Sequence, residues 1–165
     1  MSRLAPIIIR SPHANDIVDD PVQISGLAVA FESVINVRAC DETKNIIVEK
    51  FFNATGSSMW KNFQITLPLS QKPPTPFGSL EVFAISAKDG SEINKVIIPV
   101  VFGKALIDPY HGFYQHEVVP GDTLSAIAKK AYGKSAFSDR IFEANQDQLT
   151  SPNKISPGQF LRIPI

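Results

Sequence analysis

Three histidines and one cysteine are the side chains of this sequence that could act as metal ligands, bases or nucleophiles: His13, His111, His116 and Cys40. A zinc site of the His-Glu-x-x-His type needs a second histidine four residues on, and His116-Glu117 lacks it. His116 lies in an alternating pattern that predicts a surface or packed residue of a strand. Cys40 has no histidine nearby in the sequence, which favours a buried small side chain over an activated thiolate.

The acidic pairs and the aromatic residues give no stronger sign of catalysis. Asp19-Asp20 and Asp41-Glu42 are neighbours, so on strands their side chains would point to opposite faces, and we interpret them as turn residues. There is no Gly-x-Ser-x-Gly turn and no phosphate-binding glycine loop. Trp60 and Phe63 could stack on a sugar ring, but in a small β domain we expect them in the core. The sequence therefore predicts a protein that is not an enzyme, with no catalytic residues, no metal and no cofactor.

Two proline-glycine pairs, Pro120-Gly121 and Pro157-Gly158, carry the remaining candidate chemistry. Backbone groups at glycine-containing turns, a neighbouring hydroxyl and apolar side chains suit a ligand that has amide and hydroxyl groups and an apolar face. Turn formation and capping of the following helix would by themselves also explain Asp122 or Thr123. Both interpretations stay open at this level.

Two short strands and two helices are predicted to position these corners. Residues 114–119 alternate between two faces, as in a half-buried strand, and Phe160–Ile163 supply a returning strand. Between them, the apolar residues from Leu124 to Tyr132 recur at helical spacing, and Gly133 stands where a left-handed C-terminal cap belongs. A second helix is predicted to place Phe137, Ile141 and Ala144 on one face, to begin at a Ser135 or Ser138 cap, and to end at Asn145.

This strand-helix-helix-strand order and its motifs resemble the LysM domain. The matching residues are Val118–Ala128, Ala144-Asn145 and Pro157–Pro164. The resemblance covers nearly every position from Tyr114 to the C-terminal end. It implies binding, without cleavage, of N-acetylglucosamine-containing glycans such as peptidoglycan or chitin. The groove that it implies lies between the turn before the first helix and the loop before the last strand, and is lined by Gly121, Asp122, Thr123, Leu124, Ile155, Ser156, Pro157 and Gly158.

The segment from Tyr132 to Ile155 is longer than in the commonest wall-binding LysM domains. It is similar to the LysM variant of a small bacterial potassium-binding protein. That similarity implies an alternative function, a response to an ion or another small ligand. Potassium would be held by carbonyl oxygens, which the spacing of side chains does not reveal.

The first hundred residues have the pattern of an all-β domain. About seven short runs rich in Val, Ile and Phe alternate with turn signals: Ile7–Arg10, Val22–Phe31, Val34–Ala39, Ile46–Phe52, Phe63–Leu67, Leu80–Ser86 and Lys95–Phe102. Such spacing predicts an antiparallel sandwich. The prolines of residues 73–76 must lie in a loop or at an edge, and Asp89-Gly90 favours a tight hairpin between the last two strands.

This segment resembles the immunoglobulin-like Gmad2 domain from about Ile7 to Phe102, with Ser33 where that family often has glycine. The matching residues include Val22–Ala28, Phe31-Glu32, Val37-Arg38, Trp60–Phe63, Gly78–Phe83, Ser86–Glu92 and Val96–Val100. The resemblance implies a β-sandwich that binds a protein partner or acts as a spacer. It implies no chemistry.

The predicted fold class is therefore an immunoglobulin-like β-sandwich, residues 1–102, followed by a small α+β module, residues 114–165. Residues 103–113 form the predicted linker. Its apolar residues Leu106, Ile107, Tyr110 and Phe113 are too many for a solvated tether, and we expect some of them to pack between the domains. Rapid proteolysis near Asp108-Pro109 that released two freely tumbling pieces would contradict this.

Charge and hydropathy limit the classes of partner. Sixteen basic and sixteen acidic side chains leave no net charge, and no basic run exceeds Lys129-Lys130, so the sequence does not favour nucleic acid. No apolar run approaches the ~20 residues that span a bilayer. The apolar stretch within residues 1–10 is too short and broken for a signal peptide. We therefore expect either a protein of the cell envelope or extracellular space whose signal has been removed, or a cytoplasmic protein.

Three functions fit these observations. The first is a non-catalytic glycan-binding protein of bacterial type, with the sandwich as spacer or partner-binding domain. The second is a cytoplasmic protein that responds to an ion or a small ligand. The third is a structural adaptor in a larger assembly.

Overall fold

The chain divides into two compact units, Met1–Phe102 and Gly103–Ile165. The structure is a computed structural model, and it describes residues 6–29, 34–53 and 60–165. The first unit is formed by strands and the second by helices and a two-stranded sheet. The predicted fold class is confirmed.

The strands of the first unit form two sheets. They are β1 Ile7–Ser11, β2 Ile17–Val18, β3 Val22–Ala28, β4 Val34–Asp41, β5 Ile46–Asn53, β6 Lys61–Leu67, β7 Phe77–Ile85 and β8 Glu92–Phe102. One sheet has the order β1-β3-β6 and the other the order β2-β8-β7-β4-β5. All pairs are antiparallel except β2 with β8. Strand β2 was not predicted from the sequence, because two residues are too few to show a periodic pattern.

Alternation along the strands builds the core of this unit. In β3, Val22 and Ile24 are fully buried, and their cross-strand partners Leu67 and Ile65 in β6 are buried with them. Successive side chains of a strand point to opposite faces of the sheet. The buried residues therefore all lie on one face of this sheet, which is the face that forms the core. Burial of each side chain of this size contributes about 1.5–3 kcal/mol to folding.

Strand β7 is buried on both faces. Leu80 and Val82 alternate with Glu81 and Phe83, and all four are at most 6% exposed. Arg38 covers the second pair: its guanidinium carbon lies 4.7 Å from the Phe83 ring centroid, and its Nη2 donates to Glu81 Oε2 at 2.6 Å. Burial raises the pKa of Glu81, but hydrogen bonds from Arg38 and Lys95 outweigh that effect and lower it. The carboxylate is therefore held ionised in place.

Three details of the first unit bear on the predictions. Trp60 is 38% exposed, so its predicted place in the core is wrong, and Phe63 is half-buried. The prolines of residues 73–76 lie in the loop between β6 and β7, as predicted. Residues 86–91 connect β7 with β8, and Gly90 there has a φ of +73°. The resemblance residues Phe31-Glu32 and Ser33 lie outside the described residues.

The second unit has the predicted strand-helix-helix-strand order. Its elements are α1 Gly103–Leu106, β9 Phe113–Glu117, α2 Leu124–Tyr132, a 3-10 helix Ser135–Phe137, α3 Ser138–Ala144 and β10 Phe160–Pro164. Strands β9 and β10 pair antiparallel. The helices and β10 enclose one apolar cluster, formed by Val118, Leu124, Ile127, Ala128, Ile141, Leu149, Leu161 and Ile163.

The segment predicted as a linker contains ordered structure within the second unit. Its first residues form α1, where Leu106 is buried. A Cβ on Gly103 would lie 2.5 Å from the Tyr110 ring, so this ring packs directly on the backbone. Further on, the His111 amide donates to the Ile165 carbonyl, and the Ile165 amide donates to Gly112 at 2.8 Å. The restraint of domain motion by this segment stays a prediction.

The helix caps that were predicted from the sequence are only partly correct. Gly133 is the left-handed cap of α2, with a φ of +76° and its amide bonded to Lys129 at 2.9 Å, as predicted. The predicted serine caps of the second helix are wrong. Ser135 is the first residue of the 3-10 helix, and α3 begins at Ser138 with no side-chain cap bond. A preceding 3-10 turn supplies the entry to α3 in place of a serine cap.

Candidate functional site

The first corner is a turn held by the carboxylate of Asp122. The Asp122 amide donates to the Val119 carbonyl at 3.0 Å, and Gly121 between them has a φ of +92°, a conformation that favours glycine. The carboxylate accepts from the Val119 amide at 3.1 Å and from His116 Nε2 at 2.8 Å. Asp122 therefore stabilises the corner and does not cap the helix.

Thr123 is the N-cap of α2. Its backbone is extended, with φ −134° and ψ 154°, and its hydroxyl accepts from the Ala126 amide at 3.1 Å. The first turn of a helix leaves four amides without intrahelical partners, and this hydroxyl satisfies one of them. The helix thus begins at the corner, where Thr123 accepts from the Ala126 amide through its hydroxyl and from the Ile127 amide through its carbonyl.

Leu124 and Ile155 both belong to the apolar interior of the second unit. Leu124 is 2% exposed within the core cluster, and Ile155 is half-buried against that cluster. Both side chains were predicted from the sequence to be apolar walls of a groove. Ile155 retains exposed surface, whereas the Leu124 side chain is buried in the core, so its predicted place in the wall of a groove is wrong. The helical stripe that starts at Leu124 already indicated this burial.

The second corner lies beside the first. The Gly158 amide donates to the Val118 carbonyl, and the Val118 amide donates to the Gln159 carbonyl, both at 2.8 Å. Val118 immediately precedes the first corner, so these two bonds join the corners at the end of the β9–β10 sheet. Gly158 has a φ of +84°, which lets the chain turn back there.

The eight predicted residues differ in what they present to solvent. Five are exposed: Gly121, Thr123, Ser156, Pro157 and Gly158. Asp122 and Ile155 are half-buried, and Leu124 is buried. Together they offer backbone groups, two hydroxyls and a proline ring. Such a surface can exchange hydrogen bonds with a neutral polar ligand and contact its apolar face.

Asn145 supports the module that carries the two corners. From the sequence it was predicted only to end the second helix. Its side-chain nitrogen donates to the carbonyls of Ile141 at 2.7 Å and Arg162 at 2.8 Å. Its side-chain oxygen accepts from the Arg162 amide at 2.8 Å. Asn145 is completely buried and joins α3 to β10. The Ala144-Asn145 match was the signal in the sequence, but the partner 17 residues away was not visible.

Within residues 6–29, 34–53 and 60–165, no three or more His, Cys, Asp or Glu side chains are grouped as a metal site. Cys40 is 2% exposed, and burial raises the pKa of its thiol. Among those same residues, no helix is long and apolar enough to cross a membrane.

Acid is expected to weaken the first corner through Asp122. The hydrogen bond from His116, followed by that from the Val119 amide, lowers the pKa of Asp122 below its usual range. The stabilisation by this carboxylate is therefore complete above the unfolded pKa of about 3.9 and is lost as the pH falls through the lower folded value. Urea denaturation, followed by methyl NMR signals of the second unit, should show wild type more stable than Asp122→Asn at pH 6. The difference should shrink as the pH falls below the unfolded pKa; a difference that stays constant with pH would contradict this.

The architecture and the paired corners define a two-domain protein, a β-sandwich followed by a small α+β module. The family model of Gmad2, the immunoglobulin-like domain of bacterial spore germination, matches residues 6–91, just over half of the chain. The model of the LysM domain matches residues 116–164. The chain belongs to the Gmad2 family and carries a LysM domain after it, so both predicted resemblances are confirmed. Both are non-catalytic binding domains, and the LysM domain suggests binding of N-acetylglucosamine glycans.

A curated relative shares part of the chain. The potassium binding protein Kbp of Escherichia coli O6:H1 is 57% identical over 49 residues. The shared stretch is 30% of this chain and 33% of that protein, so the chain spans about a third of the length of its relative.

Proposed function

We propose that this protein binds N-acetylglucosamine-containing glycans, peptidoglycan foremost, through the surface of its two corners and without cleaving them. The observation that carries the proposal is the LysM match over residues 116–164. The sandwich acts as a spacer or as the binding domain for a protein partner. The cell envelope is the proposed place of action, because peptidoglycan is there.

The hydrogen-bonding groups at the corners support an acetamido sugar as ligand. At the second corner, Pro157 has no amide, and the amides of Ser156 and Gly158 donate to Gln159 Oε1 and the Val118 carbonyl. That corner therefore offers acceptors and a hydroxyl, which suit the N–H of an acetamido group. The first corner offers the amides of the first turn of α2, which suit its carbonyl.

A shallow neutral surface of this kind predicts weak binding by one module. Dissociation constants from micromolar to millimolar correspond to roughly 8 to 4 kcal/mol of binding free energy. Repeats of the glycan along a cell wall would raise the effective affinity if several copies bind together.

Blocking the second corner is expected to weaken retention on cell wall. Ser156 is exposed, so Ser156→Trp places a bulky ring over the corner without entering the core. We expect wild type to sediment with purified peptidoglycan and Ser156→Trp to bind at least tenfold more weakly, a loss of about 1.4 kcal/mol. The matched control is Ala136→Trp on the exposed 3-10 helix, which should bind like wild type. No retention of wild type, or equal retention of both tryptophan variants, would count against the proposal.

Potassium binding is the second candidate function, favoured by the identity with the potassium binding protein of Escherichia coli. It implies action in the cytoplasm. A ligand that binds only the folded state raises the midpoint of thermal unfolding. Under the glycan proposal, equal concentrations of potassium and sodium chloride give equal midpoints. A rise with potassium alone would favour the second candidate.

A further inference from the structure

A continuous line of side-chain amides ties the second corner to the interior of the second unit. The Ser156 amide donates to Gln159 Oε1, and Gln159 Nε2 donates to Gln148 Oε1, each at 3.2 Å. Gln148 Nε2 donates in turn to Asn145 Oδ1 at 3.1 Å, and Asn145 is completely buried. Both glutamines accept through the side-chain oxygen on the side of the corner and donate through the side-chain nitrogen on the side of Asn145, so all three hydrogen bonds run in the same direction.

Gln159 also contacts both corners through its backbone. Its amide donates to the Ser156 carbonyl at 3.1 Å, within the second corner. Its carbonyl accepts from the Val118 amide at 2.8 Å, next to the first corner. Gln159 therefore supports the second corner and, together with Gly158, joins it to the first.

We infer that Gln159 is the positioning residue of the glycan site, an inference that rests on the proposed function. Its side chain holds the Ser156 amide inward, so that the corner presents acceptors to the acetamido N–H of the sugar. Without this bond the Ser156 N–H is free to turn toward the ligand, where it would meet the acetamido N–H, which is also a donor. The corner must then be ordered when the ligand binds. A cost of ordering at binding lowers affinity without removing any contact to the ligand.

Two substitutions in the full-length chain test this inference. Gln159→Leu keeps a similar size and removes both amide functions. We expect it to bind a β-1,4-linked N-acetylglucosamine tetramer about tenfold more weakly by calorimetry. We also expect the Ser156 amide to exchange its hydrogen about fivefold faster, the effect of losing one ordinary hydrogen bond.

The Gln159→Glu variant adds a pH profile that a merely structural role would not produce. At pH 7 its carboxylate can still accept from the Ser156 amide, but it has no proton to donate to Gln148 Oε1. The side chain then loses the bond that orients it toward Ser156, and we expect about tenfold weaker binding. A protonated carboxyl restores both a donor and an acceptor. Near pH 4, where an ordinary glutamate of pKa about 4.3 is mostly protonated, its affinity should return to within about twofold of wild type.

The control for added charge is Gln115→Glu on the exposed part of β9, which should bind like wild type at both pH values. Unchanged Ser156 exchange in Gln159→Leu overturns the inference whatever the ligand is. Equal affinity of Gln159→Glu and Gln115→Glu at pH 7 overturns it too. Failure of wild type to bind the tetramer or peptidoglycan overturns the proposed function instead, and the role of Gln159 in glycan binding falls with it.

Discussion

Replacement of Asn145 by alanine is expected to remove most of the stability of the second unit and to leave the stability of the sandwich unchanged. The side chain of Asn145 makes three hydrogen bonds to backbone groups of α3 and β10 and accepts a fourth from the side chain of Gln148. Alanine leaves the carbonyls of Ile141 and Arg162 and the Arg162 amide without this partner in a buried place. Each unsatisfied buried group costs about 1–3 kcal/mol.

The expected total loss is about 3–5 kcal/mol, because some of these groups gain access to water. A unit of this size has a free energy of unfolding on the order of 5 kcal/mol, so most of that stability disappears. Hydrogen exchange followed by mass spectrometry resolves the two units. Peptides from residues 114–165 should lose most of their protection, and peptides from residues 6–102 should keep it.

Two further variants locate the effect in the buried amide. Gln146→Ala, at the exposed neighbouring position, should leave protection unchanged. Asn145→Asp keeps an acceptor for the Arg162 amide but sets a carboxylate oxygen against two carbonyls, and it should be as destabilising as alanine. Native protection of the second unit in Asn145→Ala would show that these bonds do not determine its stability.

Replacement of Gly78 by alanine is expected to destabilise the sandwich by about 3 kcal/mol. Gly78 lies in β7 between β4 and β8, and a Cβ there would be 2.2 Å from the Cys40 carbonyl oxygen. It would also be 2.5 Å from the ring of Phe102, which is fully buried. The Cys40 carbonyl cannot move without disturbing the pairing of β4 with β7, and the Phe102 ring cannot move without disturbing the core. Excess volume in a packed core costs about 1–3 kcal/mol or more.

The same substitution at Gly90 is the matched control for Gly78→Ala. Gly90 lies in the connection from β7 to β8, where an added Cβ meets open space. Its φ of +73° imposes only the strain of an L-residue in the left-handed region, about 1–2 kcal/mol. Urea denaturation followed by methyl signals of Leu80 and Val100 measures both variants. Equal losses for the two would mean that the close approach at Gly78 is relieved by a small shift.

The parts of the fold that sequence analysis predicted are those encoded by local pattern. The spacing from Leu124 to Tyr132 and the position of Gly133 determined α2 and its end, because helix periodicity and a left-handed cap are local. Strand β2 consists of only two residues and pairs with β8, more than 80 residues later, so no local pattern predicts it. Trp60 was expected in the core from its type alone, since no pattern gave the face on which it lies.

The two corners were predicted from the sequence, but the structural role of each residue in them was not. The two proline-glycine pairs were identified, and the structure joins them through Val118. That Asp122 holds the corner and Thr123 caps the helix depends on dihedral angles that residue types do not fix. The support of the second corner by Gln159 needs partners at positions 148 and 156 together, and no single spacing in the sequence specifies both.

An NMR titration of the full-length protein with a β-1,4-linked N-acetylglucosamine tetramer tests the central claim most directly. The two corners should respond together, with saturating shifts of backbone amides in residues 121–125 and 155–159 and unchanged amides in residues 6–102. Saturating shifts confined to any other surface, or none at millimolar tetramer or with soluble peptidoglycan fragments, would contradict the assignment of the corners as the glycan site.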